Sequence, residues 1–126
     1  MDDRASPAGD TLTGLYRRAS GIAGVHGPIS AVVVPPDGLR LALNATALGR
    51  PEKYQQSVLI ALAGFKGTRV EIDLGALPFI DSAFCSWMIQ IAQQIQPARV
   101  VVVHAGSRVQ DILRHLGMNK VIDITT

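Results

Sequence analysis

An aspartate and a serine stand side by side in the stretch LPFIDSAFCSWMIQIA. Asp81 and Ser82 follow an apolar pair and precede a run with helical periodicity, which predicts that they begin a helix. A side chain there can cap the helix, worth about 1 kcal/mol, and spacing alone favours this use. A serine hydroxyl there can also carry a phosphate, which the first backbone N–H groups and the helix dipole would stabilise. Phosphorylation would add about −1.5 to −2 charges beside the aspartate.

Other chemistry at this place is less well supported by the sequence. Asp73 ends the preceding predicted strand, and with Asp81 it offers two carboxylates for magnesium, although a hydrogen bond to the linking turn is the commoner use. Ser82, Asp81 and His104 are the residue types of a hydrolase triad, but the sequence has no Gly-x-Ser-x-Gly elbow. The three histidines do not have metal-ligand spacing. We therefore expect no metal, no cofactor and no catalysis.

Composition limits the classes of function further. The chain has 126 residues, 48% of them hydrophobic and 17% charged, which suits one globular domain. A net charge of +2, with arginines scattered along the chain, gives no reason to expect nucleic-acid binding. The single cysteine, Cys85, excludes an internal disulfide and is expected in the core. With neither a signal-peptide pattern nor an apolar run of about 20 residues, we expect a cytoplasmic protein without membrane insertion.

The first half of the chain predicts a hairpin and a helix behind an N-terminal extension. Residues 1–28 form the extension, with a short helix expected over residues 10–22. The runs ISAVVV (residues 29–34) and LRLAL (residues 39–43) flank the turn sequence PPDG and predict a β-hairpin. Pro51 is suited to the first position of a helix that continues to Phe65.

The second half alternates strands with helices. A strand is expected over residues 68–74, a helix over 82–96, and a valine-rich strand, buried on both faces, over 98–105. A short helix capped by Ser107 should reach Gly117, before a last strand over residues 120–124. The resulting β-β-α-β-α-β-α-β order predicts an α/β fold with a mixed, mostly parallel sheet, whose functional loops follow the carboxyl ends of the strands.

On the helix predicted over residues 82–96, Trp87, Ile91 and Ile95 have the spacing of a core-facing stripe. Phe84 and Met88 form an adjacent apolar row, and any exposed part of that row would be a candidate docking patch.

The segment from Val70 to Ile124 resembles the STAS domain of bacterial anti-sigma-factor antagonists. The features that carry the resemblance are a strand ending in aspartate, an apolar pair, the Asp-Ser element, a valine-rich strand and a helix ending near Leu-Gly. The likeness extends over about residues 39–126, and the predicted domain covers residues 29–126. It implies a partner-switching protein that binds an anti-sigma factor, often itself a serine kinase of the GHKL type. In that family the serine after the aspartate is phosphorylated, which releases the partner, and a serine phosphatase reverses the modification.

By this resemblance, Ser82 is the phosphate acceptor. The expected partner surface comprises Asp81, Ser82, Ala83 and Phe84, together with the loop at Asn44 and the helix start at Ser107.

Two departures from the family pattern leave an alternative open. Ala83 and Phe84 follow the serine where a small residue and glycine are common, and Asn44 to Ala47 replace an acidic segment. These departures favour a structural subunit that is not phosphorylated, either in a signalling scaffold or in a lipid-transport ABC system. The retained Asp81-Ser82 pair favours the switch.

Overall fold

A computed structural model describes residues 29–34, 37–44 and 55–125 of the chain. The expected helix over residues 10–22, the extension 1–28 and the proposed helix start at Pro51 lie outside the described residues. The segment Ala45–Ala47, which departs from the family pattern, also lies outside them.

The described residues form strands and helices in the predicted order. The strands are β1 (Ile29–Val34), β2 (Gly38–Leu43), β3 (Arg69–Asp73), β4 (Arg99–Val103) and β5 (Asp123–Ile124). The α-helices are α1 (Gln55–Ala61), α2 (Ser82–Ile95) and α3 (Ser107–His115), and a 3₁₀ turn over Met118–Lys120 precedes β5.

The five described strands make one sheet in the order β1-β2-β3-β4-β5. The β1–β2 hairpin is antiparallel, and β2, β3, β4 and β5 pair in parallel. Ala42 lies opposite Asp73, which lies opposite Val103, so these three strands end at one edge of the sheet. This confirms the α/β class with a mixed, mostly parallel sheet, and it brings the loops that follow three strands to the same edge.

The hydrophobic core lies between one face of the sheet and the helices. Its strand residues include Leu41, Ile72 and Val102, all with no exposed surface. Trp87, Ile91 and the other apolar residues of α2 pack on them, and full burial of each such side chain contributes about 1.5–3 kcal/mol. The Trp87 Nε1–H donates to the backbone carbonyl of Gln55 at 3.1 Å, which ties α1 to α2. Trp87, Ile91 and Ile95 are core residues, as predicted.

Three expectations about the elements were wrong in detail. The valine-rich strand β4 is fully buried on one face only, because Val101 and Val103 on the other face are half-buried. The last strand begins at Asp123 rather than at residue 120, since the Met118 carbonyl accepts bonds from the N–H groups of residues 121 and 122 and forms a turn. Helix α1 ends at Ala61, four residues before the predicted end at Phe65. Phe84 and Met88 are both buried, so the condition stated for a docking patch, an exposed part of their row, is not met.

Candidate functional site

The loop between β3 and α2 carries the Asp-Ser element on two buried anchors. Leu77 and Ile80 are each 4% exposed, whereas Pro78, Phe79 and Asp81 face solvent. The Leu77 N–H donates to the Leu74 carbonyl at 3.0 Å, closing a turn at the end of β3. The buried leucine and isoleucine hold the loop on the core, and the exposed residues between them are presented outward.

Asp81 is the N-cap of α2. Its backbone is extended (φ −110°, ψ 177°), and its Oδ1 accepts a hydrogen bond from the Phe84 N–H at 2.8 Å. Its own carbonyl accepts the first intrahelical bond, from the Cys85 N–H at 3.1 Å. The capping use predicted for the pair therefore belongs to the aspartate. Ser82 does not act as the cap, and it begins the helix with an exposed side chain.

The two residues after Ser82 have opposite environments. Ala83 is exposed, while Phe84 is 3% exposed and meets Trp87 edge-to-face, with ring centroids 5.3 Å apart. Phe84 was expected on the partner surface, and that expectation is corrected: its ring is a core side chain, which a partner does not reach. The surface at the start of α2 therefore consists of Asp81, Ser82 and the small Ala83.

The topology brings Asn44 and Ser107 to the same edge of the sheet. Asn44 follows the end of β2 and Ser107 follows the end of β4 by four residues, and both are exposed. Helix α2 connects the carboxyl end of β3 to the start of parallel β4, so its N-terminus also lies at this edge. Ser107 is the first residue of α3, and the N-cap is Gly106, without a side-chain cap bond. The predicted cap at Ser107 was therefore wrong by one residue.

Asp73 and His104 form a polar pair at this edge. The Asp73 Oδ1 accepts from the Gly75 N–H at 2.9 Å, and its Oδ2 lies 3.0 Å from the His104 Nδ1. Partial burial would raise the pKa of Asp73, but the hydrogen bonds from Gly75 and His104 and the charges of His104 and Arg40 lower it below its ordinary value. Asp73 thus secures the turn, as the commoner reading of the sequence predicted.

His104 has a left-handed backbone conformation, with φ 61°. This conformation is uncommon outside glycine, although histidine adopts it more readily than most residues. It places the imidazole against the carboxylate of the neighbouring strand, where the ring stays 61% exposed. The imidazole is engaged with Asp73, an arrangement that differs from the Ser82–Asp81–His104 triad considered from sequence. In the described part of the chain, no group of three histidine, cysteine, aspartate or glutamate side chains has the geometry of a metal site.

Cys85 lies one turn into α2 and is 3% exposed, as expected of a core residue. Burial, and to a lesser extent the charge of Asp81, raises the pKa of its thiol. The thiol is therefore neutral at physiological pH and poorly reactive.

Phe79 belongs to the site although sequence reasoning did not single it out. The ring is 48% exposed and stands two residues before the capping aspartate. In residues 77–81 the pattern is buried, exposed, exposed, buried, exposed, which is not the alternation of a strand and is too short to indicate a helix. Periodicity therefore gave no signal that this aromatic residue faces solvent.

Comparison with known proteins supports the fold and the family. The STAS domain family model matches residues 41–126, which is more than half of the chain. Two solved structures cover 79% of it: the protein TM1081, solved by NMR (16% identity, TM-score 0.66, 82% of that chain), and a serine-to-glutamate variant of RsbS from Moorella thermoacetica (18% identity, TM-score 0.63, 86% of that chain). A comparison with curated proteins finds no match.

The chain belongs to the STAS domain family. The chain folds as an α/β domain whose overall fold is similar to that of the two solved structures. In this chain the domain has the strand order β1-β2-β3-β4-β5, a capped helix after β3 and strands that end at one edge. Among the described residues, no helix combines the length and apolar character needed to cross a bilayer.

Proposed function

We propose that this protein is an anti-sigma-factor antagonist that works in a phosphorylation-gated partner switch. In the unphosphorylated state it binds an anti-sigma factor that is also a serine kinase of the GHKL type, and phosphate on Ser82 releases it. The observation that carries the proposal is the position of Ser82, an exposed hydroxyl on the first residue of α2, next to a cap that another residue already supplies.

Asp81 and Ser82 have different roles at the start of α2, and this difference supports Ser82 as the phosphate acceptor. Because the Asp81 carboxylate caps the helix, the Ser82 hydroxyl is not needed as the N-cap. A phosphate at the helix start would be stabilised by the helix dipole and by backbone N–H groups of the first turn. Modification of Ser82 is thus compatible with the fold, and its main effect is expected on the surface that a partner contacts.

The surface around Ser82 explains how a phosphate would act on binding. Phe79 and Ala83 are exposed apolar neighbours, and a partner packed on them would remove water from the Ser82 hydroxyl as well. A neutral hydroxyl tolerates this contact, whereas a phosphate of about −1.5 to −2 charges beside Asp81 would have to lose its hydration. Phosphorylation would therefore oppose the same contact that the unmodified surface favours.

The protein is proposed to act by binding and not as an enzyme. Asp81 is used as a cap and His104 is held by Asp73, an arrangement typical of a structural role for each group. A serine phosphatase would restore the binding-competent form. The cytoplasm, where such kinases and sigma factors act, is the expected location.

The rival function is a structural STAS subunit without phosphorylation. Two sequence features favoured it, the bulky residue after Ser82 and the neutral segment at Asn44, and the structure removes the first. Phe84 lies in the core, so the bulky residue after Ser82 does not obstruct the start of α2. The neutral segment that begins at Asn44 still favours the rival, because the acidic residues of the usual partner surface are missing there. The rival function predicts that the affinity for the partner is the same with and without a negative charge at Ser82.

The test is a binding titration with the anti-sigma factor or kinase encoded beside the gene. Ser82→Ala should bind as tightly as the unmodified chain, and Ser82→Asp should bind at least tenfold more weakly. Ser86→Asp is the matched control, because Ser86 is exposed one turn further along α2 and receives the same charge. Equal affinities of Ser82→Asp and Ser82→Ala would overturn the switch and leave the structural subunit.

A further inference from the structure

A groove opens at the end of the sheet opposite to Ser82. It lies between the last turn of α2, the start of β4 and the turn that precedes β5, and these meet because α2 leads from the carboxyl end of β3 to the first residue of β4. Its volume is about 560 Å³. A groove of this volume falls in the size range of sites that take up small molecules, so it has room for a large side chain of a partner.

The floor of the groove is apolar and consists of small side chains. Ala92, Ala98 and Val100 line it and are buried. Val121 stands at its side and is 39% exposed. An apolar floor beside an exposed aliphatic side chain favours a ligand that presents an apolar group.

The rim of the groove carries positive charge. Arg99 lines it, but the Arg99 guanidinium is already paired with the Asp123 carboxylate at 2.7 Å. Lys120, which directly precedes Val121, is exposed and has no acidic partner in the described part of the chain. The groove therefore suits an apolar group with a carboxylate close by.

The loop before α2 has the complementary features. Among the large apolar residues that the described part of the chain exposes, Phe79 alone is aromatic. Asp81 is the only charged residue in the sequence from Gly75 to Ser82, and it is exposed. Aromatic side chains are enriched at the centres of protein interfaces, and an exposed ring with a nearby carboxylate is the group that the groove suits.

Phe79 and the groove of the same chain lie too far apart to meet. Phe79 stands three residues before α2, whereas the groove lies at the other end of that helix. Helix α2 has 14 residues and is therefore about 21 Å long. The ring and the groove can come together only between two copies of the chain.

We propose that Phe79 of one copy docks in the groove of a second copy, with Asp81 of the first beside Lys120 of the second. Because the two surfaces lie at opposite ends of α2, the contact is head-to-tail and leaves one ring and one groove free in every pair. Further copies can therefore add, and assembly does not stop at a dimer. This inference goes beyond the proposed function and needs no phosphate, but a copy whose Phe79 is docked cannot present that ring to an anti-sigma factor.

Sedimentation of the full chain at increasing concentration tests the contact. The unsubstituted chain should pass from monomer to species larger than a dimer, and added salt should weaken the association because Asp81 and Lys120 are exposed. Phe79→Ala and Val121→Asp should each weaken it by about tenfold or more, as expected at the centre of an interface. Val32→Asp is the matched control, because Val32 is an exposed valine on β1, which two strands separate from β4. It should associate like the unsubstituted chain.

A mixture of the two weakened variants tests the head-to-tail geometry. The Phe79→Ala chain keeps its groove and the Val121→Asp chain keeps its ring, so together they should form one-to-one pairs and nothing larger. An unsubstituted chain that stops at a dimer, or a mixture that stays monomeric where the unsubstituted chain associates, would overturn the proposal. So would a chain that is monomeric up to about 1 mM, where a contact with a Kd of about 1 mM is well populated.

The charged rim gives a second pair of variants whose folding is not at risk. Lys120 and Lys66 are both exposed at this end of the sheet, but Lys66 does not line the groove. Lys120→Glu should weaken the association and Lys66→Glu should leave it nearly unchanged, with equal urea midpoints for the two variants. Equal association of both variants would count against the contact.

Discussion

The Asp81 carboxylate accepts a hydrogen bond from the Phe84 backbone N–H at 2.8 Å, and the same two residues have opposite environments. The aspartate stays in water and caps α2, and the phenylalanine ring enters the core against Trp87. Together they hold the first turn of the helix, on which Ser82 is exposed. A capped helix start that presents one exposed hydroxyl is the basis of the proposed switch.

Removing the cap should destabilise the protein without removing the phosphate acceptor. Asp81→Ala should lower the free energy of unfolding by about 1 kcal/mol, because the Phe84 N–H loses its acceptor. Asp81→Asn, which keeps an oxygen at the same place, should retain most of that stability. Urea denaturation of the three chains measures both effects, and an equal loss in Asn and Ala variants would show that the charge, rather than the cap, is what matters.

Truncating Phe84 should damage the fold rather than the partner surface. Phe84→Ala should cost about 3–5 kcal/mol, as expected for a buried aromatic ring. Ala83→Ser, at the exposed neighbour, should change stability by less than about 0.5 kcal/mol. A partner titration of the milder Phe84→Leu variant should give the affinity of the unmodified chain, and a large loss of affinity without a loss of stability would restore Phe84 to the surface.

Asp73 should stabilise the protein in a pH-dependent way. Its pKa is lowered in the folded state, so its contribution is fully present above the ordinary value of 3.8 and is lost as the pH falls through the lowered folded pKa. Asp73→Asn should therefore be less stable than the unmodified chain by roughly 1 kcal/mol at pH 6. Denaturation curves at low pH should show the two chains converging. A stability difference that grows on acidification would contradict the assignment.

Glu71 should matter more than an exposed ion pair of the same kind. Glu71→Gln leaves Arg40 and Arg69 without their shared carboxylate and should lower the free energy of unfolding by about 1.5–3 kcal/mol. Asp123→Asn, which breaks the exposed pair with Arg99, should have a smaller effect because water screens that pair. Equal losses in the two variants would show that burial adds nothing at Glu71.

Most of the fold could be predicted from sequence because its signals are local. The hairpin follows from a β-branched run, a Pro-Asp-Gly turn and an alternating run, and the structure places β1 and β2 within one residue of the predicted ranges. Helix α2 was predicted to within one residue at its end because Pro97 stops it. The apolar stripe at Trp87, Ile91 and Ile95 gave the core side of that helix.

The errors came from features that only tertiary packing decides. Four consecutive valines in β4 have the composition of a strand buried on both faces, but the helices cover one face and leave Val101 half-buried. Phe84 fits a surface or a core position equally well in sequence, and its contact with Trp87 decides for the core. The cap of α3 shifted from Ser107 to Gly106, since the residue with extended backbone, not the one with the better side chain, precedes the helix.

The candidate site could be located from sequence, but not its composition. Functional loops follow the carboxyl ends of parallel strands, and this rule together with the Asp-Ser pair predicted the edge of the sheet at which Asp81 and Ser82 lie. Phe79 was missed because no periodic pattern exposes it, and the pairing of Asp73 with His104 depends on residues 31 positions apart.

The central claim is that phosphate on Ser82 releases the partner. The most direct measurement is peptide mass spectrometry across residues 77–96, on chain recovered from its native cells and separated into free and partner-bound fractions. The account predicts phosphate on Ser82 in the free fraction and unmodified Ser82 in the bound fraction. Phosphorylated chain retained in the complex, or unmodified Ser82 in both fractions under every growth condition, would contradict it.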